Sequence, residues 1–175
     1  MKLVLLLAAC LASALNIASA RGEVYQTPEK FLSESFAGDV PAPEIVWITG
    51  DLAARAKALL GHKAAALRLR YWAQGARSAW ILNEIGKTEP ITAGILIEDQ
   101  KITRIQILEF RESRGGEVRH PFFTNQFVGL GLQEDDRLTA QVDGISGATL
   151  SVRAVLSMAK LSLLLARHVW MAQTP

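Results

Sequence analysis

The carboxy-terminal segment, from about Ala148 to Met171, constrains the fold more than any other part of the sequence. Its apolar residues recur at steps of three and four, and most of the helical circumference is apolar. Its basic residues Arg153, Lys160 and Arg167 are seven positions apart, so they share one narrow stripe. A helix that is apolar on most sides must be buried. We therefore expect this helix to pack deeply against a sheet.

Upstream of that helix, the hydrophobic pattern has the period of β-strands. Leu67, Leu69 and Tyr71 alternate with Arg68 and Arg70, as in a half-buried strand. Four strands separated by short polar connections predict an antiparallel meander. The predicted fold class is α+β, a mainly antiparallel sheet packed by helices. The predicted strands cover residues 67–72, 80–85, 90–98 and 102–110.

Two short helices and a strand precede the predicted meander. Thr27-Pro28 is typical of a helix start, and the helix should run to about Phe36. A strand is expected over 44–48, and a helix over 51–60 that Gly61 closes. We expect residues 21–63 to be a helical lead-in to a domain that spans residues 64–175.

The connection from the last strand to the long helix has weaker signals. Residues 111–119 are polar and contain glycine, which indicates a loop. Residues 120–128 are rich in aromatic side chains and predict a short helix or turn. Residues 138–142 predict an extended segment.

The amino terminus has the features of a secretory signal peptide. Lys2 precedes the apolar run Leu3–Ala9, and Ala18–Ala20 forms an A-x-A cleavage site. We expect residues 1–20 to be removed and the protein to be exported, to a bacterial periplasm. The alternative is a lipid anchor through Cys10, because Leu7-Ala8-Ala9-Cys10 matches the pattern that precedes a lipid-modified cysteine.

Charge and cysteine content exclude several classes of function. The chain has 19 basic and 17 acidic residues, and removal of residues 1–20 leaves 18 against 17. This near-neutral balance does not indicate a nucleic-acid-binding surface, because such a surface requires a surplus of basic residues. A single cysteine excludes a disulfide framework and a cysteine-based metal site. The histidines follow no catalytic spacing, so neither a metal site nor a catalytic residue is predicted.

The segment Asp143–Thr149 opens the long helix and carries the most specific chemical signal. Ser146, Gly147 and Ala148 are small enough to let a ligand approach the backbone, and Thr149 falls at the first turn. The free amides and the dipole of a helix start favour a phosphate there. The alternative is an ordinary helix cap that binds nothing.

This segment resembles the signature of the covalent FMN-binding domain family, which includes the flavinylated domains of the Rnf electron-transport complex and of the sodium-translocating NADH:quinone reductase. The pattern is Asp, two residues, Ser or Thr, Gly, Ala, then Thr or Ser. The resemblance implies that FMN is linked by a phosphoester to Thr149. It also implies that Asp143, Ser146, Gly147 and Ala148 belong to the cofactor site. The match is tight over 143–155 and looser over 64–170.

Two further segments resemble the family more loosely. Residues 112–116 stand where relatives have a Glu-Thr-Pro-Gly-Leu-Gly loop, although the proline and leucine are absent here. This implies Glu112 as a residue near the flavin. Residues 126–129 resemble a segment of small single-domain members. Phe122, Phe123 and Phe127 lie shortly before the motif and are candidates for one wall of the ring site. The alternative is that Phe127 and the nearby Phe122 and Phe123 belong to the core.

The resemblance implies an exported flavoprotein that transfers electrons between a membrane or periplasmic redox partner and another exported acceptor. Attachment then requires an FAD-dependent, magnesium-requiring flavin transferase, because no histidine lies beside Thr149 in the sequence. Asp143 would position magnesium or the hydroxyl; the alternative is a turn with Gly144. Two other functions remain open: a binding or interaction domain without cofactor, and an FMN-dependent reductase of a small substrate. The oligomeric state is not indicated.

Overall fold

A computed structural model describes residues 22–173 and shows a six-stranded antiparallel sheet with helices on both faces. This is the predicted α+β class. Across the sheet the strand order is β1-β6-β5-β4-β3-β2. The strands are β1 (Glu23–Val24), β2 (Glu44–Trp47), β3 (Arg68–Gln74), β4 (Arg77–Ile85), β5 (Pro90–Glu98) and β6 (Lys101–Phe110). The helices are α1 (Pro28–Ser35), α2 (Gly50–Leu60), α3 (Pro121–Thr124) and α4 (Thr149–Gln173).

Strands β3 to β6 form the predicted meander with short connections. Gly75 and Ala76 join β3 to β4, whereas Asp99 and Gln100 join β5 to β6. Asp99 and Gln100 have φ values of 50° and 61°, the conformation that a two-residue type I′ hairpin turn requires. Strand β4 begins at Arg77, earlier than expected, because the two-residue turn lets pairing with β3 start at once.

The amino-terminal segment contributes to the same sheet. Strand β2 pairs with β3 at one edge, and β1 pairs with β6 at the other. No sequence pattern predicted β1, which has only two residues. Helix α1 starts after Thr27, whose Oγ1 accepts a hydrogen bond from the Lys30 amide at 3.2 Å, and α2 ends at Gly61 with a φ of 79°. The predicted boundary at residue 63 lies in the connection between α2 and β3. The signal peptide and Cys10 lie outside the described residues.

Different helices cover the two faces of the sheet. Helices α2 and α4 lie on one face, where Trp80 and Leu165 are fully buried. Helix α1 covers part of the other face through Phe31. Gly94 of β5 allows this close contact, since a Cβ there would lie 2.8 Å from the Phe31 ring. Strand β5 is consequently buried along nearly its whole length.

Helix α4 is the core helix that the sequence predicted. Among the described residues, Thr149–Ala172 is long and apolar enough to cross a membrane, but 67% of its most apolar stretch is buried inside the domain. Such burial is typical of the core helix of a globular domain. Arg153 is exposed, while Lys160 and Arg167 are partly exposed, so the charged stripe marks the solvent side.

The connection between β6 and α4 is mostly irregular. A 3₁₀ turn covers Gly116–Arg119, and α3 continues into a second 3₁₀ turn at Asn125–Phe127, as the aromatic segment predicted. The predicted extended segment over 138–142 makes one isolated bridge, from Leu138 to Leu132, and adds no strand to the sheet.

Candidate functional site

A tight turn delivers the chain from the Asp143 motif into α4. The Ala148 amide donates to the Ile145 carbonyl at 3.0 Å, which closes the turn. Gly147, the third residue of the turn, has a φ of 83°, which is typical of a type II turn and favours glycine. A Cβ on Gly147 would meet no atom within 4 Å. The requirement for glycine here is therefore conformational, and the space above the turn is open to a ligand.

The first turn of α4 presents an exposed hydroxyl and free amides. Thr149 is the first helical residue and is exposed to solvent. The Val152 amide donates to the Ala148 carbonyl at 2.9 Å, so the amides of residues 149–151 precede the first helical hydrogen bond. Ala148 has no side-chain oxygen with which to cap them. This terminus can bind an anion such as a phosphate.

The loop after β6 packs against the same helical turn. Gly115 has a φ of 87° and is buried. A Cβ on Gly115 would lie 2.3 Å from the Ser151 Oγ and 3.5 Å from the Ala148 Cβ. Both conformation and space therefore require glycine at this position. The loop that resembles the family's Glu-Thr-Pro-Gly-Leu-Gly segment thus lies directly beside Thr149.

Glu112 anchors this loop to the turn between β4 and β5. Its carboxylate accepts hydrogen bonds from the amides of Lys87, Thr88 at 2.6 Å and Glu89 at 2.9 Å, and from the Thr88 hydroxyl at 3.3 Å. Burial would raise the pKa of Glu112, but the hydrogen bonds outweigh it and hold that pKa below its usual value. The carboxylate is thus held by the protein's own backbone.

Two adjoining clefts open on the two sides of this loop. The threonine cleft, of about 590 Å³, is lined by Lys87, residues 112–114 and residues 147–151. The tyrosine cleft, of about 550 Å³, is lined by Glu23, Tyr25, Phe110, residues 112–117, Arg119, His120, Ser146 and Gly147. Both clefts include residues 112–114 and Gly147, so they meet beside the motif.

Most of the predicted site residues come together around these clefts. Ser146 and Gly147 line the tyrosine cleft, while Gly147, Ala148 and Thr149 line the threonine cleft, and Glu112 lines both.

Asp143 lies at the entrance to the motif and is exposed. Its amide donates to Gln126 Oε1 at 2.7 Å, and Gln126 Nε2 donates to the Phe122 carbonyl at 3.3 Å. Gln126 therefore ties the α3 segment to the start of the motif. It was not among the predicted site residues, although the segment 126–129 resembles part of the family.

Phe127 lies in the core, away from the surface of both clefts. Its side chain is 0% exposed, and its ring packs edge-to-face on Phe123 with centroids 5.3 Å apart. Phe123 and Phe127 therefore belong to the core, which was the alternative to a wall of the ring site. Phe122 is 62% exposed and stacks on His120 at 6.1 Å.

Sequence reasoning missed Tyr25 and the basic residues of the clefts. Lys87 and Arg114 line the threonine cleft, and Arg119 lines the tyrosine cleft. No local pattern links Tyr25 to the motif, because β1 brings it there by pairing with β6. Among residues 22–173, no group of three or more His, Asp or Glu side chains is placed to hold a metal ion.

The fold and the site define a small α+β domain whose core helix starts at a tight turn with free backbone amides, beside two clefts. Residues 86–163 match a family model described as FMN-binding domain. Over these residues the chain is similar to that family, which agrees with the resemblance that the Asp143–Thr149 motif indicated.

The fold is also similar to the crystal structure of a subunit of the Na(+)-translocating NADH-quinone reductase from Parabacteroides distasonis. The TM-score is 0.52 and the identity 18%, over 82% of this chain and 83% of that chain. At this identity the likeness shows the fold alone. No curated protein matches the sequence.

The residues present fit FMN. Free amides at residues 149–151 and the basic side chains of Lys87 and Arg114 suit its phosphate. The two clefts have volumes in the range of about 300–1,000 Å³ that is typical of ligand pockets. Gly147 lines both clefts, and a Cβ there would meet no atom within 4 Å, so the space where the clefts meet is open.

Proposed function

We propose that this protein is an exported flavoprotein that carries FMN through a phosphoester on Thr149 and transfers electrons between a membrane redox partner and another exported acceptor. The observation that carries the proposal is the exposed Thr149 hydroxyl, which lies on the first turn of α4 inside the FMN-binding domain and lines the threonine cleft.

The electrostatics of the threonine cleft support attachment at Thr149. A phosphodiester keeps about one negative charge, which the free amides and dipole of α4 stabilise by about 0.3–1 kcal/mol at an exposed site. Lys87 and Arg114 add positive charge to the same cleft. A phosphate at this position therefore accepts hydrogen bonds from the free amides of a helix terminus that has no side-chain cap.

Attachment requires a partner enzyme, because the cleft supplies no base for the hydroxyl. None of the residues that line the threonine cleft is a histidine. Glu112 is held by backbone amides and its pKa is lowered, so it is a poor proton acceptor. The Thr149 oxygen forms a new bond to the FMN phosphorus of FAD, the phosphoanhydride bond breaks, AMP leaves, and the hydroxyl proton is lost to the transferase or to water. We propose that the exposed Asp143 helps to position the magnesium ion of that transferase.

Electron transfer is favoured over the reduction of a small substrate. A bound flavin supplies the redox chemistry, and the protein supplies position and surroundings. The carboxylate of Glu112, which lines both clefts, is held by backbone amides and its pKa is lowered, so it is a poor group for exchanging a proton with a substrate. A tether also gives the flavin an effective concentration on the order of millimolar or higher, so export does not dilute it. The solved structure with a similar fold is itself a subunit of a redox enzyme.

Intact mass measurement tests the proposal directly. Co-expression with a flavin transferase should add one FMN, less one water, to the protein. Thr149→Ala should abolish the addition, and Thr149→Ser should retain part of it. Ser113→Ala is the matched control, because Ser113 is another exposed hydroxyl in the same cleft and should leave attachment unchanged.

The same experiment separates the alternatives. Protein that never gains flavin favours a binding domain without cofactor, and flavin that persists on Thr149→Ala contradicts the attachment site. Turnover of a small acceptor by the flavinylated protein with a reduced dye favours the reductase. Export is tested by sequencing the mature amino terminus, which should begin at Arg21; a lipid-modified Cys10 would contradict it.

A further inference from the structure

The tyrosine cleft is built by three segments that are distant in sequence. Strand β1 and the residue after it supply Glu23 and Tyr25, the loop after β6 supplies Arg119, and the turn before α4 supplies Ser146 and Gly147. These segments meet because β1 pairs with β6 and because Gly115 packs on α4. The cleft is therefore a product of the tertiary fold and does not depend on the motif alone.

Tyr25 is held in one orientation on the wall of this cleft. Its amide donates to the Leu108 carbonyl at 2.8 Å, which fixes the backbone on β6. Its hydroxyl donates to Glu23 Oε2 at 2.9 Å and accepts from Arg119 Nη1 at 2.9 Å. The Arg119 guanidinium also lies 4.8 Å from the centre of the Tyr25 ring. Burial and the Glu23 hydrogen bond raise the pKa of Tyr25, so the phenol stays protonated at neutral pH.

The backbone of Arg119 is positioned by the turn that it ends. It ends the Gly116–Arg119 turn, in which Val118 is fully buried in the core. A Cβ on Gly116 would lie 3.5 Å from Arg119 Nη1 and 3.6 Å from a carbon of the Phe110 ring. Gly116 therefore lies between Arg119 and the Phe110 ring on the wall of the cleft.

The two clefts differ in what they offer to a flat aromatic group. The side chains of the threonine cleft are small, charged or aliphatic, and its largest apolar member is the exposed Leu150. The tyrosine cleft has Tyr25, Phe110 and His120. Aromatic rings gain about 0.5–1.5 kcal/mol beyond burial when they stack or meet edge to face. Because Gly147 lines both clefts two residues before Thr149, a group tethered at Thr149 starts at the border between them.

We propose that Tyr25 and Arg119 form the wall against which the isoalloxazine ring of FMN rests, with the phosphate held in the threonine cleft. This inference rests on the proposed attachment of FMN to Thr149. Tyr25 contacts the ring directly. Arg119 holds the phenol in place and adds positive charge near the ring, which favours the reduced, negatively charged form of a flavin.

The fluorescence of the attached flavin tests the contact with Tyr25. A phenol in contact with an excited flavin quenches it by donating an electron that then returns, whereas a phenyl group is a far weaker donor. In the flavinylated full chain, Tyr25→Phe should raise the fluorescence per attached flavin severalfold. Tyr25→Trp should leave it quenched, because indole is also an electron donor, although it loses the same hydroxyl as Tyr25→Phe.

Two further variants keep the test selective. Trp47→Phe removes an exposed indole from β2, at the opposite edge of the sheet, and should leave the fluorescence unchanged. Arg119→Gln should lower the midpoint potential of the flavin, since it removes positive charge from beside the ring. A merely structural role for Arg119 would change the thermal midpoint without this shift in potential.

The outcomes distinguish this inference from the proposed function. Absence of flavin from the wild-type protein in the intact mass contradicts the attachment proposal. Attached flavin with equal fluorescence in the wild-type, Tyr25→Phe and Tyr25→Trp proteins overturns the inference and places the ring away from Tyr25. An increase with phenylalanine and none with tryptophan supports it, because loss of the hydroxyl alone would affect both variants alike.

Discussion

Gly147 and Gly115 both line the tyrosine cleft beside the motif, and they are required for different reasons. Their φ values, 83° and 87°, are nearly the same. A Cβ on Gly147 would meet no atom within 4 Å, whereas a Cβ on Gly115 would lie 2.3 Å from the Ser151 Oγ. One wall of the cleft is thus set by the local conformation of a turn. The other is set by packing against α4, so it depends on the whole fold.

This difference predicts which wall is more sensitive to substitution. The turn wall can take an added side chain into open space, and only the backbone conformation opposes it. The loop wall has no such space, and it is also tied to the β4–β5 turn through Glu112. Substitutions should therefore cost more in the loop than in the turn.

Gly115→Ala should produce the largest loss of stability. The positive φ costs a non-glycine residue about 1–2 kcal/mol, and overpacking against Ser151 adds about 1–3 kcal/mol. The free energy of unfolding, measured by urea denaturation, should fall by the sum. Gly115→Ala combined with Ser151→Ala should recover the packing part. A loss no larger than that of Gly147→Ala would contradict the packing argument.

Gly147→Ala should lower the free energy of unfolding less than Gly115→Ala does, and for a different physical reason. Only the positive φ opposes it, so we expect a loss of about 1–2 kcal/mol in the free energy of unfolding. Gly147→Asn should cost less than Gly147→Ala, since asparagine tolerates the left-handed region better. At Gly115, asparagine should be no better than alanine because the clash with Ser151 remains. If Gly147→Asn and Gly147→Ala lower the free energy of unfolding equally, a contact of the added side chain, and not the positive φ, determines the loss.

The same contrast explains how much could be predicted from the sequence. The start of α4, the Thr27 cap and the bounds of β5 follow from short-range patterns, and the structure confirms them. The motif at residues 143–149 is equally local. By comparison, the hydrogen bond between Arg119 and Tyr25 joins residues 94 positions apart, and no short-range pattern encodes it.

Aromatic residues show the same limit within one short segment. Phe122 and Phe127 occupy similar sequence surroundings, yet Phe122 is 62% exposed and Phe127 is fully buried. Which of them faces solvent depends on how α3 and its following turn pack against β6. The anchoring of Glu112 depends likewise on the position of the β4–β5 turn, so the sequence could predict its place near the site and not its partners.

Glu112→Gln should weaken the loop wall by a smaller amount. A neutral amide keeps one acceptor oxygen but loses the charge-assisted hydrogen bonds to the amides of residues 87–89, worth about 1 kcal/mol net. Hydrogen exchange at these three amides should accelerate, and the free energy of unfolding should fall by about that amount. Glu117→Gln is the matched control, an exposed acid in the same loop, and should change neither. Unchanged exchange at the three amides would contradict the anchoring role.

The smallest expected effect is a dependence of the loop wall on pH. The pKa of folded Glu112 lies below its unfolded value of about 4.3. A lowered pKa contributes stability that is complete above the unfolded value and is lost as pH falls through the folded value. The pKa values of Glu34 and Asp135 are also lowered, by Arg104 and Arg137 respectively, so the whole protein loses stability in acid for several reasons. The difference in unfolding free energy between wild type and Glu112→Gln isolates the loop. It should be constant from neutral pH down to about 5 and shrink below that, because protonated Glu112 also loses its charge. A difference that stays constant through pH 3 would mean that the charge on Glu112 does not hold the loop in place.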